Sequence, residues 1–314
     1  MEYRTLGSSG LQVSVVGLGT NNFGGRLDLQ ATDAVIKRSV EQGINLLDTA
    51  NGYGDTRSEE FIGKSVKGIR DDVLLATKVA SPRGEGPNRQ GASRKHVMEQ
   101  VEQSLRRLQT DYVDLYQIHF PDPNTPIEET LRTLDDLVRH GKVRYVGCSN
   151  FQAWQVAQAM ERSSKLGLEP FVSVQPSYSM LKRDAEQELV PCCKAYGLGI
   201  LPYFPLASGF LTGKYRRGET PPDGTRLAGN SRMAGTYLTD ANFDVLEALE
   251  AFVSERGRSM VELAIAWLLA NPSVSSVIAG ATRPEQVDAN AKSADWGLGA
   301  DEMEELAGIL SGTG

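Results

Sequence analysis

The stretch INLLDTANGYG, residues 44–54, decides how the rest of the chain is read. The mostly apolar run INLL (44–47) halts at Asp48, and Tyr53 follows five residues later. This is the pattern of a buried strand ending in a polar loop, and loops on a rigid scaffold carry function disproportionately. Alone, the same residues read more simply as a helix cap and a surface tyrosine, so the flanking segments must decide.

Outward from this stretch, strand and helix patterns alternate. Upstream, ATDAVIKRSVEQ (31–42) has helical spacing and stops at Gly43, a good C-cap residue, while VVGLGT (15–20) reads as a buried strand. Downstream, SEEFIGKSV (58–66) reads as a short helix and VLLATKV (73–79) as the next strand. SRKHVMEQVEQSLRRL (93–108), with Ser93 as N-cap, leads to YVDLYQIH (112–119), and IEETLRTLDDLVRH (127–140) to RYVGCSN (144–150). WQVAQAMERSSKLG (154–167) precedes FVSVQPSY (171–178), and EQELVPCCKAYG (186–197) precedes GILPYFP (199–205). Residues 207–239, rich in Gly, Pro, Ser and Arg and without periodicity, read as a long functional loop. Helical patterns return at 240–256 and 260–271, then VSSVIAG (274–280), RPEQVDANAKS (283–293) and a last helix at 300–310. Ahead of all this, residues 2–14 read as a β-hairpin with turn glycines.

Eight strand candidates alternating with helices imply a parallel sheet, and the count suggests a closed (β/α)8 TIM barrel. We expect α/β architecture with an N-terminal hairpin and extra helices, residues 1–314 forming one domain. An open doubly wound sheet satisfies the same alternation.

Composition narrows the function classes. With 40% hydrophobic and 23% charged residues and no long apolar run, the chain reads as soluble rather than membrane-inserted. The opening MEYRTLGSSG lacks a basic region followed by an apolar core, so we expect a cytoplasmic protein. A net charge of −7 offers no basic footprint for nucleic acid. Cys148, Cys192 and Cys193 form no CxxC, which argues against a disulfide framework and a zinc site. No metal is expected, and nothing in the sequence encodes an oligomeric state.

In either architecture the site lies beyond the carboxyl ends of the strands, and the polar exceptions fall there. They are Asp48, Lys78, His119, Ser149 with Asn150, Gln175 and Tyr203, on successive strands. Alternation puts Leu46 with Asp48, Leu74 and Ala76 with Lys78, and Leu115 and Gln117 with His119 on common faces. A lysine inside VLLATKV is hard to explain structurally, because a buried ammonium is costly unless paired, and Asp48 is its natural partner. His96 and His140, on helices, read as structural, while Ser149, Asn150 and Gln175 taken singly could merely end strands. GLGTNNFGG lacks GxGxxG, FIGKSV lacks the upstream glycine of a P-loop, and no GxSxG or HExxH occurs.

Together DTANGYG, ATKV, DLYQIHFPDP, VGCSNF, VQPSYSML, PYFPLASGFLTGKY and VIAGATRPEQVDAN resemble the aldo-keto reductase superfamily over essentially the whole chain. That resemblance implies a barrel binding a nicotinamide dinucleotide across its mouth without a Rossmann fold. It makes Tyr53 the general acid, with Asp48, Lys78 and His119 completing the family's tetrad. Lys78 is expected to move the phenol's pKa toward neutrality, with Asp48 holding the lysine and a neutral His119 orienting the substrate carbonyl. Asp48 also borders the cofactor.

By the same resemblance Ser149, Asn150 and Gln175 hold the nicotinamide carboxamide, Tyr203 stacks on its ring, and Gly19 and Thr20 touch its ribose. Leu206, Ser208, Gly209, Lys214 and Arg226 correspond to the segment clasping the pyrophosphate, which makes 207–239 a cofactor belt. Gly280, Thr282, Arg283, Gln286 and Asn290 match the adenosine end, and Arg283 with Thr282 favours a 2′-phosphate, hence NADPH. Phe204 departs from the serine common in the family. The expected activity is NADP-dependent reduction of small aldehydes or ketones to alcohols. The alternatives are a Schiff-base aldolase using Lys78, or a cofactor-holding regulatory subunit of the kind that attaches to channel proteins. The intact tetrad and the lack of a long N-terminal extension speak against the latter.

Overall fold

A computed structural model describes residues 1–311. Two short strands, β1 (Tyr3–Thr5) and β2 (Gln12–Ser14), pair antiparallel as the expected hairpin. Eight parallel strands follow: β3 (Val16–Gly19), β4 (Leu46–Asp48), β5 (Leu74–Val79), β6 (Val113–Ile118), β7 (Val143–Ser149), β8 (Ser173–Gln175), β9 (Gly199–Ile200) and β10 (Val277–Gly280). Their order, β10-β3-β4-β5-β6-β7-β8-β9, is that of a ring opened between β9 and β10. The ring closes through parallel bridges Ile200–Val274 and Tyr203–Ile278 and the bond from Ile278 N to Pro202 O at 2.9 Å. The open-sheet alternative is thereby excluded, and the fold is a (β/α)8 barrel.

The helices are α1 (Leu29–Glu41), α2 (Arg57–Ser65), α3 (Arg94–Leu108), α4 (Ile127–Arg139), α5 (Ala153–Leu166), α6 (Leu189–Tyr196), α7 (Ser231–Tyr237), α8 (Asp240–Glu255), α9 (Met260–Leu269), α10 (Pro284–Lys292) and α11 (Ala300–Leu310). Local chemistry sets their starts: Asp28, Ser93, Thr239 and Ser259 each accept a backbone N–H of the first turn. Strand alternation sorts the apolar residues into two layers. Leu46, Ala76, Leu115, Leu201 and Ile278 fill the barrel with Leu6 and Val13 of the hairpin, while the larger cluster lies between sheet and helices. The hairpin therefore packs into the barrel's lower interior.

Two strands are shorter than their apolar runs. β8 ends at Gln175 and β9 at Ile200, because Pro176 and Pro202 offer no N–H to the ladder. The segment 207–239 contains more structure than its sequence suggested: a 3-10 stretch at Ala207–Thr212, and α7, whose Asn230 cap accepts from Met233 N at 3.0 Å. Met233, Ala234 and Tyr237 of α7 pack against the core but are only partly buried, and two turns are too few for their spacing to stand out in the sequence. All three cysteines are free, with Cys148 and Cys193 buried. No helix among the described residues is long and apolar enough to cross a membrane.

Candidate active site

The strand ends meet at one mouth. Asp48 on β4 and Lys78 on β5 point into the barrel beside one another, with Lys78 Nζ donating to Asp48 Oδ2 at 2.6 Å and to Thr49 O at 2.9 Å. Both side chains are buried, the lysine completely. Burial alone pulls the ammonium's pKa down, but the charges of Asp48 and Tyr53 outweigh it and hold the group above its usual range.

Tyr53 reaches this pair from the loop after β4. The loop turns tightly enough that a Cβ on Gly54, at φ +58°, would lie 2.3 Å from Phe23 O, so glycine is required there. Lys78 Nζ lies 5.2 Å from the centre of the Tyr53 ring, and the His119 ring stands edge-on to it at 5.9 Å. Burial raises the phenol's pKa, Lys78 lowers it and Asp48 raises it, and the net direction is upward. The expected drift toward neutrality is therefore not what this arrangement produces, because desolvation of the phenolate exceeds the help from the ammonium.

His119 follows β6, fixed by its own N–H to Val79 O at 2.8 Å, and stacks on the exposed Phe120 at 4.4 Å. Burial and then the Lys78 charge press its pKa down to about 3, so the ring is neutral across ordinary pH, as expected. Ser149 donates to Gln175 O at 2.8 Å, and Asn150, at φ +61°, donates to His119 O at 2.9 Å. Tyr203 donates to Asn150 Oδ1 at 2.8 Å, and Gln175 donates to Asp48 Oδ1 at 2.9 Å. The β6 to β9 ends are thus tied together.

A cavity of about 1260 Å³ runs from this floor across the mouth. Every residue expected to hold the cofactor borders it, as do Tyr53 and His119, while Lys78 lies beneath the wall. At the far end Thr282 N and Oγ1 both donate to Gln286 Oε1, at 2.8 and 3.1 Å, and Arg283 is exposed at the start of α10. Arg226 stacks over Phe204 at 5.3 Å and donates to Asn21 and Asn22, and Arg26 donates to Gly224 O, which joins the belt to the loop after β3. Among the described residues Arg26, Lys214 and Arg226 have no carboxylate partner, and Arg283 has only an exposed contact with Glu285 at 3.6 Å. Burial and the nearby Arg26 both lower the Arg226 pKa, so this end of the cavity suits a polyanion.

Sequence reading missed several residues here. Asn21, Asn22, Arg26 and Phe120 border the cavity from loops whose spacing carries no periodic signal. Gln117, which donates to Asp48 Oδ1 at 3.2 Å, could have been found, because it shares the strand face of Leu115 and His119.

The floor thus holds a buried lysine–aspartate pair overhung by a tyrosine and a neutral histidine, at the mouth of a (β/α)8 barrel. The family model described as "Aldo/keto reductase family" matches residues 15–311, and the chain belongs to that family. It is 39% identical over 301 residues to a probable voltage-gated potassium channel subunit beta of Oryza sativa subsp. japonica, covering 94% of this chain and 92% of that protein. It is 34% identical over 320 residues to aldo-keto reductase YhdN of Bacillus subtilis, covering 100% and 95%. With the L-glyceraldehyde 3-phosphate reductase of Escherichia coli K12 it shares 35% identity over 300 residues, 92% of this chain and 86% of the other. These similarities and the fold make the chain an oxidoreductase of the aldo-keto reductase class.

Proposed function

We propose that the chain, as one cytoplasmic domain, reduces small aldehydes or ketones to alcohols at the expense of NADPH. The observation that carries this reading is the buried Asp48–Lys78 pair, 2.6 Å apart, beneath Tyr53 and a neutral His119. NADPH, when bound, supplies hydride to the carbonyl carbon. Tyr53 donates the proton to the carbonyl oxygen, and Lys78 stabilises the phenolate left behind while Asp48 keeps the lysine in place. His119, uncharged, orients the carbonyl by a hydrogen bond. Ser149, Asn150 and Gln175 would hold the nicotinamide carboxamide, with Tyr203 against the ring and Gly19 and Thr20 at its ribose. Leu206, Ser208, Gly209, Lys214 and Arg226 would receive the pyrophosphate. The adenosine end would fall to Gly280, Thr282, Arg283, Gln286 and Asn290, with the exposed Arg283 on a 2′-phosphate.

Schiff-base chemistry at Lys78 is disfavoured, since an amine kept charged by Asp48 is a poor nucleophile. The name of the rice relative supports a second reading, a cofactor-holding subunit of a larger assembly. Steady-state assays on a panel of aldehydes and ketones with NADPH separate the two. Turnover is expected, and Tyr53→Phe should remove it by about a thousandfold or more while leaving NADPH affinity within about twofold. Tight NADPH binding without turnover on any member of the panel would favour the subunit reading.

A further inference from the structure

Asp48 is held by more than its lysine. Its Oδ2 faces Lys78 at 2.6 Å, whereas Oδ1 accepts two amide N–H groups, from Gln175 at 2.9 Å and from Gln117 at 3.2 Å. Gln175 borders the cavity, but Gln117 does not: it is fully buried on β6, in register with Lys78 on β5. The orientation of its amide is dictated by its neighbour, because the reverse would set Oε1 against a carboxylate oxygen. In that orientation Oε1 is itself buried and accepts no hydrogen bond among the described residues. The layer directly below is apolar, formed by Leu46, Ala76 and Leu115. A buried amide costs desolvation that an apolar side chain of similar length would not, so its hydrogen bonds must offset that cost. The side-chain bond that Gln117 makes is the one to Asp48, at 3.2 Å.

We propose that Gln117 is a positioning residue for the proton donor: with Gln175 it fixes the Asp48 carboxylate so that Oδ2 meets Lys78, and it draws off negative charge that otherwise acts on Tyr53. The inference rests on Tyr53 being the proton donor of the proposed reduction. The groups facing Tyr53 are Asp48 from β4, Lys78 from β5, His119 after β6 and Tyr203 after β9. Burial, Lys78 and Asp48, in that order, move its phenol, the first and last upward. Without the Gln117 N–H, more of the Asp48 charge reaches the phenol and Lys78 is held less firmly. Tyr53 then keeps its proton more tightly and yields it more slowly.

The test compares Gln117→Met with the unaltered chain by thermal midpoint, by NADPH fluorescence titration, and by the pH profiles of kcat and kcat/KM over the carbonyl panel. Loss of one charge-assisted hydrogen bond is expected to lower kcat about tenfold and to move the alkaline limb of the profile up by about half a pH unit. The midpoint should be unchanged or higher, and NADPH affinity unchanged. Gln117→Glu, which keeps the shape, can donate to Asp48 only when protonated, so its kcat should climb toward the parent value as pH falls. Parent-like kcat and pH profile in Gln117→Met would overturn the proposal. So would a fall in midpoint and kcat with no displacement of the limb, the signature of a purely structural residue. Absence of turnover by the unaltered chain on the whole panel would overturn the reading beneath it and this proposal with it.

Discussion

The charged groups at the barrel floor are buried and paired, whereas the cations at the outer end of the same cavity are exposed or half-buried and have at most one exposed carboxylate contact, that of Arg283 with Glu285. Lys78 and Asp48 have side chains no more than 4% exposed, pair with each other and make three further hydrogen bonds, with Thr49, Gln117 and Gln175. Arg283, by contrast, has a side chain 64% exposed, and Lys214 and Arg226 contact aromatic rings rather than carboxylates. Proton transfer needs groups already in place in a low dielectric, while an incoming polyanion needs cations free to pair with it. One cavity therefore carries a preorganised end and a receptive end.

The largest effects are expected at the floor. Lys78→Met should reduce turnover by about a thousandfold or more and lower unfolding free energy by about 3–5 kcal/mol, because Asp48 is left buried and unpaired. Denaturant unfolding beside steady-state assays reads both effects. A variant as stable as the parent would mean that the pair does not hold the floor together.

His119 offers a milder probe of the same end. Its folded pKa, about 3, lies below the ordinary 6.5, so between these values the unfolded chain binds more protons and stability is lost as pH falls. Lowering pH from about 7 to about 5 should cost the parent roughly 2 kcal/mol more than it costs His119→Gln. Equal losses in both proteins would show that the imidazole is not desolvated.

The smallest change is expected at the receptive end. Arg283→Ala should weaken NADPH by about tenfold and NADH by less than about twofold, since only NADPH carries the 2′-phosphate proposed to meet this exposed guanidinium. Equal weakening of both would mean that Arg283 does not meet the 2′-phosphate.

Much of the site was legible before the fold. Asp48, Lys78, His119, Ser149 and Gln175 stand at the ends of apolar runs, and strand alternation assigned the first three to one interior. Gln117 shared that alternation and was passed over because a single amide between Tyr116 and Ile118 carries no motif. Arg26 was hidden for a different reason: its contact with Gly224 joins two irregular segments about two hundred residues apart in sequence, which no local period encodes. Helix α7 has only seven residues, so the core-facing Met233, Ala234 and Tyr237 repeat too briefly to mark a period.

By itself the sequence determined the succession of β and α units, the helix start at Ser93, and the face shared by Asp48, Lys78 and His119 with their apolar neighbours. These depend on side-chain period and on hydrogen bonds spanning three residues, which are local quantities. Only the tertiary structure decided that the sheet closes, through Ile200 with Val274 and Tyr203 with Ile278. It alone also decided that the Tyr53 phenol is pushed up rather than down. Closure and desolvation both sum contributions from residues far apart along the chain, and no window of sequence contains that sum.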